Sequence, residues 1–142
     1  MISAAEALTL LDGLRQERDG FARMRDLLEA HFEAAVRHDS ERVRVAAERI
    51  TVLTERLDTL CSERQQRVLR LTGGATRDAH EALALRLTAK AADLLREQMR
   101  ELQTLVGECK RLNVRNCELV VGQQEIMARV LSNDGQGTYA PA

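Results

Sequence analysis

Proline occurs once in this 142-residue chain, at Pro141, and apolar residues recur at steps of three, four and seven almost from end to end. That spacing places them on one face of an α-helix, and the near absence of proline lets helices run long. Two stretches interrupt the pattern, His38-Asp39-Ser40 and Leu71-Thr72-Gly73-Gly74-Ala75-Thr76. Three helices are expected, at about 4–37, 41–71 and 78–131. The expected fold is therefore all-α: three long helices in an antiparallel, coiled-coil-like bundle with an extended third helix. Residues 1–131 would form one helical domain and 132–142 a flexible C-terminal tail.

Local signals agree with these limits. Ser3-Ala4-Ala5-Glu6 is a capping box, in which each side chain satisfies the other residue's backbone donor. Leu8, Leu11, Leu14, Phe21, Met24, Leu28, Phe32 and Ala35 form the apolar stripe of the first helix. Gly13 and Gly20 weaken it by ~1 kcal/mol each relative to alanine, a cost that packing on neighbours can offset. Asp39 or Ser40 can cap the second helix, and so short a turn predicts an antiparallel hairpin. Helix two carries two strict heptad rows, Val43-Ile50-Leu57 and Ala46-Leu53-Leu60. Arg64 and Arg67 then fall where apolar residues belong, so its end should leave the core or change face. Gly73 suits a left-handed helix terminus, and Thr76 or Asp78 can cap the third helix. A third helix of roughly 75 Å outruns partners of about 45–50 Å, so it must kink or project.

The third helix holds the least ordinary pattern. Leu105, Leu112, Leu119 and Ile126 recur every seven residues as a seam, and Cys109, Asn116 and Gln123 recur beside it. Asn113 lies one helical turn before Asn116 and Cys117. Amides buried without partners cost about 1–3 kcal/mol each, so either they fix the register of the bundle or they serve a partner.

Other chemistry is thinly represented. The net charge of −1 and the 2% aromatic content give no basis for nucleic-acid binding or stacking. No run approaches the ~20 apolar residues of a bilayer span, and no signal peptide is evident. His31, His38 and His80 belong to no Glu-x-x-His pair and read as near-surface helical residues. Cys61, Cys109 and Cys117 read as free, buried small hydrophobes in a reducing compartment. Gly73-Gly74 follows a helix rather than a strand, so it is no phosphate loop. No catalytic constellation, metal site or cofactor site is expected; the chain reads as a cytoplasmic protein that is not an enzyme.

The run Leu112-Asn113-Val114-Arg115-Asn116-Cys117-Glu118-Leu119-Val120, followed by Gly122-Gln123, resembles the signature of the FlgN family of flagellar type III export chaperones. In that family a long last helix carries Leu-Asn-x-x-Asn-Gly-x-Leu-Leu, and a tail shortly after holds Tyr-Gly-x-Asp-Gly. Cys117 stands at the family's glycine, and Tyr139-Ala140-Pro141-Ala142 at the position of its tail motif. The detailed match covers about the last third of the chain.

The resemblance implies a chaperone that binds the C-terminal helical segments of the hook–filament junction proteins, prevents their premature assembly and delivers them to the membrane export gate. It places Asn113, Asn116, Leu119, Val120 and Gln123 in the substrate-binding helix, and Tyr139 at the gate contact. Physically, Leu112, Leu119, Val120, Ile126, Met127 and Val130 would cover the client's apolar face, and Met127 adapts to more than one client. The face from Leu119 to Val130 is then expected to be incompletely buried in the free protein. The alternative is a structural coiled-coil protein self-associating through its third helix, and a homo-oligomer is compatible with either.

Overall fold

The computed structural model describes residues 2–74 and 78–134, with side chains through residue 130. Its elements are α1 (Ala4–Val36), α2 (Ser40–Leu71), α3 (Ala79–Ala84) and α4 (Ala89–Asp134). The expected capping box is present: Glu6 N–H donates to Ser3 Oγ (3.2 Å), and Ser3 N–H donates to Glu6 Oε2 (3.3 Å). Both long-helix ends close the same way. Asp39 N–H bonds back to Ala34 O and His38 N–H to Ala35 O, while Gly74 N–H bonds to Leu69 O and Gly73 N–H to Arg70 O. This terminus requires a left-handed residue, and Gly73 supplies it at φ +69°. His38 supplies it at the other turn with φ +55°, which its residue type did not announce. Asp39 then caps α2 by accepting from Arg42 N–H (3.1 Å).

α2 runs antiparallel to α1, since Gly13, Glu17 and Gly20 meet Arg67, Arg64 and Leu57 in turn. A Cβ on Gly20 would come within 2.6 Å of the buried Leu57 side chain. The close approach of the two helices is what offsets that glycine's helix penalty. α4 runs parallel to α1: Arg18 bonds Glu101, Arg25 bonds Glu108 and Glu29 bonds Arg115.

The expected third helix is instead two helices. Leu85–Thr88 interrupts it, and Thr88 starts α4, its hydroxyl accepting from Ala91 N–H (3.3 Å). The reason is register. Side chains of α4 bond carbonyls of α1 at a constant separation of 88 residues, which sets Ala4 beside Ala92. A helix continued upstream of residue 88 would have no α1 to lie on. The chain folds back instead, and α3 plugs that end with Leu83 and Ala84, packed in a core with Leu10, Leu14, Val68, Leu95 and Leu102. Arg86 donates to Leu71 O and Ile2 N–H to Arg86 O, tying the plug to α2 and the N-terminus.

Two polar residues sit inside this end. Arg64 does not leave the core as expected; its Nε donates to Glu17 Oε2 (2.7 Å), and Glu17 is only 1% exposed. Its Nη1 lies 2.7 Å from His80 Nε2. A guanidinium only donates, so His80 accepts there and is a neutral ring carrying its proton on Nδ1. Leu8, assigned to the apolar stripe, is 68% exposed, and its place in the core is taken by Leu10. Leu8 and Leu10 are two residues apart on the helix, so both cannot face the bundle, and Leu10 fits the i, i+4 step to Leu14.

Glu17→Ala should destabilise the fold by about 3–5 kcal/mol, because it strands a buried guanidinium, and adding Arg64→Met should recover much of that. Urea unfolding of the two variants measures both quantities. Burial, and then the Arg64 guanidinium, hold the His80 pKa below the ordinary histidine range. The unfolded chain therefore takes up the proton first, so stability present at neutral pH is lost as pH falls through about 6.5 toward the lower folded value. His80→Gln should flatten that part of the profile in thermal melts run across pH.

Candidate functional site

The far end of the bundle, away from α3, is built differently. Three α4 side chains reach backbone carbonyls of α1 at heptad intervals on both helices. Cys109 S–H donates to Phe21 O (3.4 Å), Asn116 Nδ2 to Leu28 O (2.8 Å) and Gln123 Nε2 to Ala35 O (2.8 Å). A helical carbonyl keeps a second lone pair after its i+4 bond, so these contacts cost α1 none of its own ladder. Burial, and then Glu108, push the Cys109 thiol up, which keeps it a protonated donor.

Asn116 is 2% exposed and fully partnered. Its second N–H points to His31 Nδ1 (3.3 Å), and its Oδ1 accepts from Arg115 Nε (3.2 Å) and Nη2 (3.1 Å). Arg115 also donates to Glu29 and stacks 3.7 Å from the Phe32 ring centroid. The row expected beside the seam is thus the row that faces α1. The leucine row is the shoulder: Leu105, Leu112 and Leu119 are half-buried, and Ile126 is exposed. Asn116 and Gln123 hold register inside the chain, whereas Asn113 is exposed.

Toward the turn at Arg37–Asp39, α2 and α4 stand apart, and a groove of about 420 Å³ opens over α1. Leu28 and His31 make its floor; Ala47, Ile50 and Thr51 of α2 make one wall. Asn113, Asn116, Cys117, Val120 and Val121 of α4 make the other. Four of these five belong to the run that carried the family resemblance. Cys117, expected to be buried, is exposed here because its face of α4 looks into the gap rather than at α1.

Beyond the groove α4 outruns its support. The 88-residue offset sets Val36 beside Gln124, so residues 125–134, about 15 Å of helix, extend past the end of α1. There Ile126, Met127 and Val130 are 59%, 58% and 48% exposed. Val130 continues the row that lower down lies on α1 and Ile126 the leucine shoulder, and no described residue of α1 extends far enough to cover them. The expected site residues therefore divide: Asn113, Asn116 and Val120 on the groove, Leu112 and Leu119 on the shoulder, Gln123 on α1, and Ile126, Met127 and Val130 on the projection. Tyr139 lies outside the described residues. Sequence reasoning missed the α1 and α2 parts of the groove, His31, Ala47 and Thr51.

Residues 1–138 match the family model described as FlgN protein. No curated protein and no solved structure matches the chain. No helix among the described residues is long and apolar enough to cross a membrane.

Asn116→Ala removes a buried residue with partners on both sides and should cost about 1–3 kcal/mol in urea unfolding. Asn113→Ala, exposed and one turn away, should stay within about 0.5 kcal/mol of the parent.

Proposed function

The chain belongs to the FlgN family of flagellar export chaperones, and from that premise we propose that its distal end receives the C-terminal helical segments of the hook–filament junction proteins. The observation that carries this reading is the apolar surface of α4 left uncovered beyond α1, at Ile126, Met127 and Val130. An unassembled subunit presents an amphipathic helix without its partner, and a groove beside an unsupported apolar helix offers it a temporary one. Leu119 and Val120, half-buried, join the groove and shoulder to that projection. Asn113 stands free at the rim to orient the client. Asn116 and Gln123 serve indirectly, by fixing how far α4 reaches past α1. Met127 lends the surface a side chain that repacks easily around different clients.

In this reading the chaperone works in the cytoplasm, holds junction proteins unassembled and hands them to the membrane export gate, with Tyr139 as the gate contact. The competing reading, self-association through the end of α4, uses the same apolar residues, and a binding experiment separates the two.

Size-exclusion chromatography with a junction protein's C-terminal fragment should give a discrete one-to-one complex. Ile126→Asp combined with Met127→Asp should weaken that complex about tenfold or more. Both positions are exposed, so the melting temperature should hardly move. Binding unchanged by the pair would remove the projection from the site, and a dimer that the pair dissociates without any fragment binding would favour self-association. Tyr139→Ala should leave fragment affinity intact while reducing export in cells; a loss of affinity instead would rule out a separate gate contact.

A further inference from the structure

His31 is the one ring on the floor of the groove, and the Asn116 contact fixes its chemistry. The Asn116 amide has no freedom to turn over. Leu28 O only accepts and the Arg115 guanidinium only donates, so the NH2 must face the carbonyl and Oδ1 must face Arg115. The second amide N–H then points at His31 Nδ1 (3.3 Å), which is therefore an acceptor. The His31 proton sits on Nε2, and that N–H has no hydrogen-bond partner among the described residues. His31 is half-buried, so that N–H can reach solvent.

A helix laid in the groove would shut that N–H off from solvent. A purely aliphatic ridge would leave Nε2–H without a partner, a loss worth about 5- to 100-fold in affinity. A carboxylate over the ring is no remedy. Nε2–H can donate to one, but the lining of the groove supplies no cation to offset the burial of its charge. The Arg115 guanidinium, on the residue before Asn116, is already engaged by Asn116, Glu29 and Phe32. A carboxylate also costs more to take from water than an amide or hydroxyl.

Resting on the reading of the groove as a client site, we infer that His31 determines specificity: it selects an amphipathic helix carrying one neutral acceptor, a side-chain amide or hydroxyl oxygen, within its apolar ridge. His31 discriminates mainly by penalising helices that lack this group, which apolar contact alone does not achieve.

The test is a double-mutant cycle. A peptide of the C-terminal helical segment of a junction protein is titrated, by isothermal calorimetry, against the full chain and its His31→Leu and His31→Gln variants. Each Asn, Gln, Ser and Thr of the peptide is changed to Ala in turn. His31→Leu should weaken binding about 3- to 10-fold, and against the parent chain one peptide substitution should weaken it about 5-fold or more. Against His31→Leu that substitution should matter less than about twofold. His31→Gln keeps an N–H donor and should bind close to the parent, which shows that the loss in the leucine variant is not misfolding. Parent binding with His31→Leu within twofold of it, or effects that add for every peptide position, would overturn the inference while leaving the client site standing. No binding of the peptide by the parent chain would overturn the client site, and this inference with it.

Discussion

The distal half of the molecule depends on three hydrogen bonds from side chains of one helix to backbone carbonyls of another. Cys109, Asn116 and Gln123 reach Phe21, Leu28 and Ala35, each 88 residues away. A side-chain bond to a backbone carbonyl has one geometry, whereas an aliphatic seam tolerates a slip of one turn, so this ladder sets the register of α4 on α1. The construction of both ends derives from that offset. At one end, residues upstream of 88 find no α1 and fold back as α3. At the other, α4 outlasts α1 by about 15 Å. Ion pairs along the flank, Arg18–Glu101, Arg25–Glu108 and Arg115–Glu29, repeat the same register, but as exposed pairs they contribute little each.

The two ends differ in how they are closed. Around Leu83, which is fully buried, all four helices supply apolar side chains, and the Glu17–Arg64–His80 chain pairs the charged groups enclosed with them. Such a network is costly if any member is lost, so it demands one arrangement of α1, α2 and α3. Toward the other end only Met24, Leu28, Leu57, Leu60 and Cys109 form a buried cluster, and past it α2 and α4 part. The stable end can hold the open end in place without the open end having a core of its own.

The helical character, the two turns, the capping box and the limits of α1 and α2 were legible in the sequence because each has a local cause. Asp39, Gly73 and Ser3-Glu6 act within one turn of chain. What was not legible has causes far away in sequence. The break at Leu85–Thr88 contains no glycine or proline; Thr88 offers a local cap, but the helix restarts there because α1 begins at Ala4. Arg64 lies in the core because Glu17, a whole helix away, is there to meet it. The exchange of roles between the leucine row and the amide row is of the same kind. Periodicity locates a stripe but not its centre, and hydrophobicity favoured the leucines as centre. Asn116 takes the centre instead because an unseen partner, the Leu28 carbonyl, accepts its proton. The groove was half legible: its α4 wall lay in the recognised run, whereas His31, Ala47 and Thr51 carried no pattern that tied them to it.

Holding α4 down with amides also explains how the chain keeps an apolar surface available without losing its fold. Had Asn116 and Gln123 been leucines, the strongest attachment of α4 to α1 would be burial of its apolar face, and a client could win that face only by dislodging the helix. A neutral hydrogen bond contributes about 0.5–1.5 kcal/mol, less than the roughly 1.5–3 kcal/mol of a buried leucine, so the attachment is weaker. It is also separate from most of the surface on offer: the amides point into α1, Val120, Val121, Ile126 and Met127 lie off that row, and Val130, which continues it, lies beyond the end of α1. Weak attachment at one end is tolerable because the packed end anchors α4 through Leu95 and Leu102. In the proposed reading, fixing the register and binding a client, which look like rival explanations of the amides on this helix, are parts of one arrangement. The amides hold the helix so that the apolar residues need not.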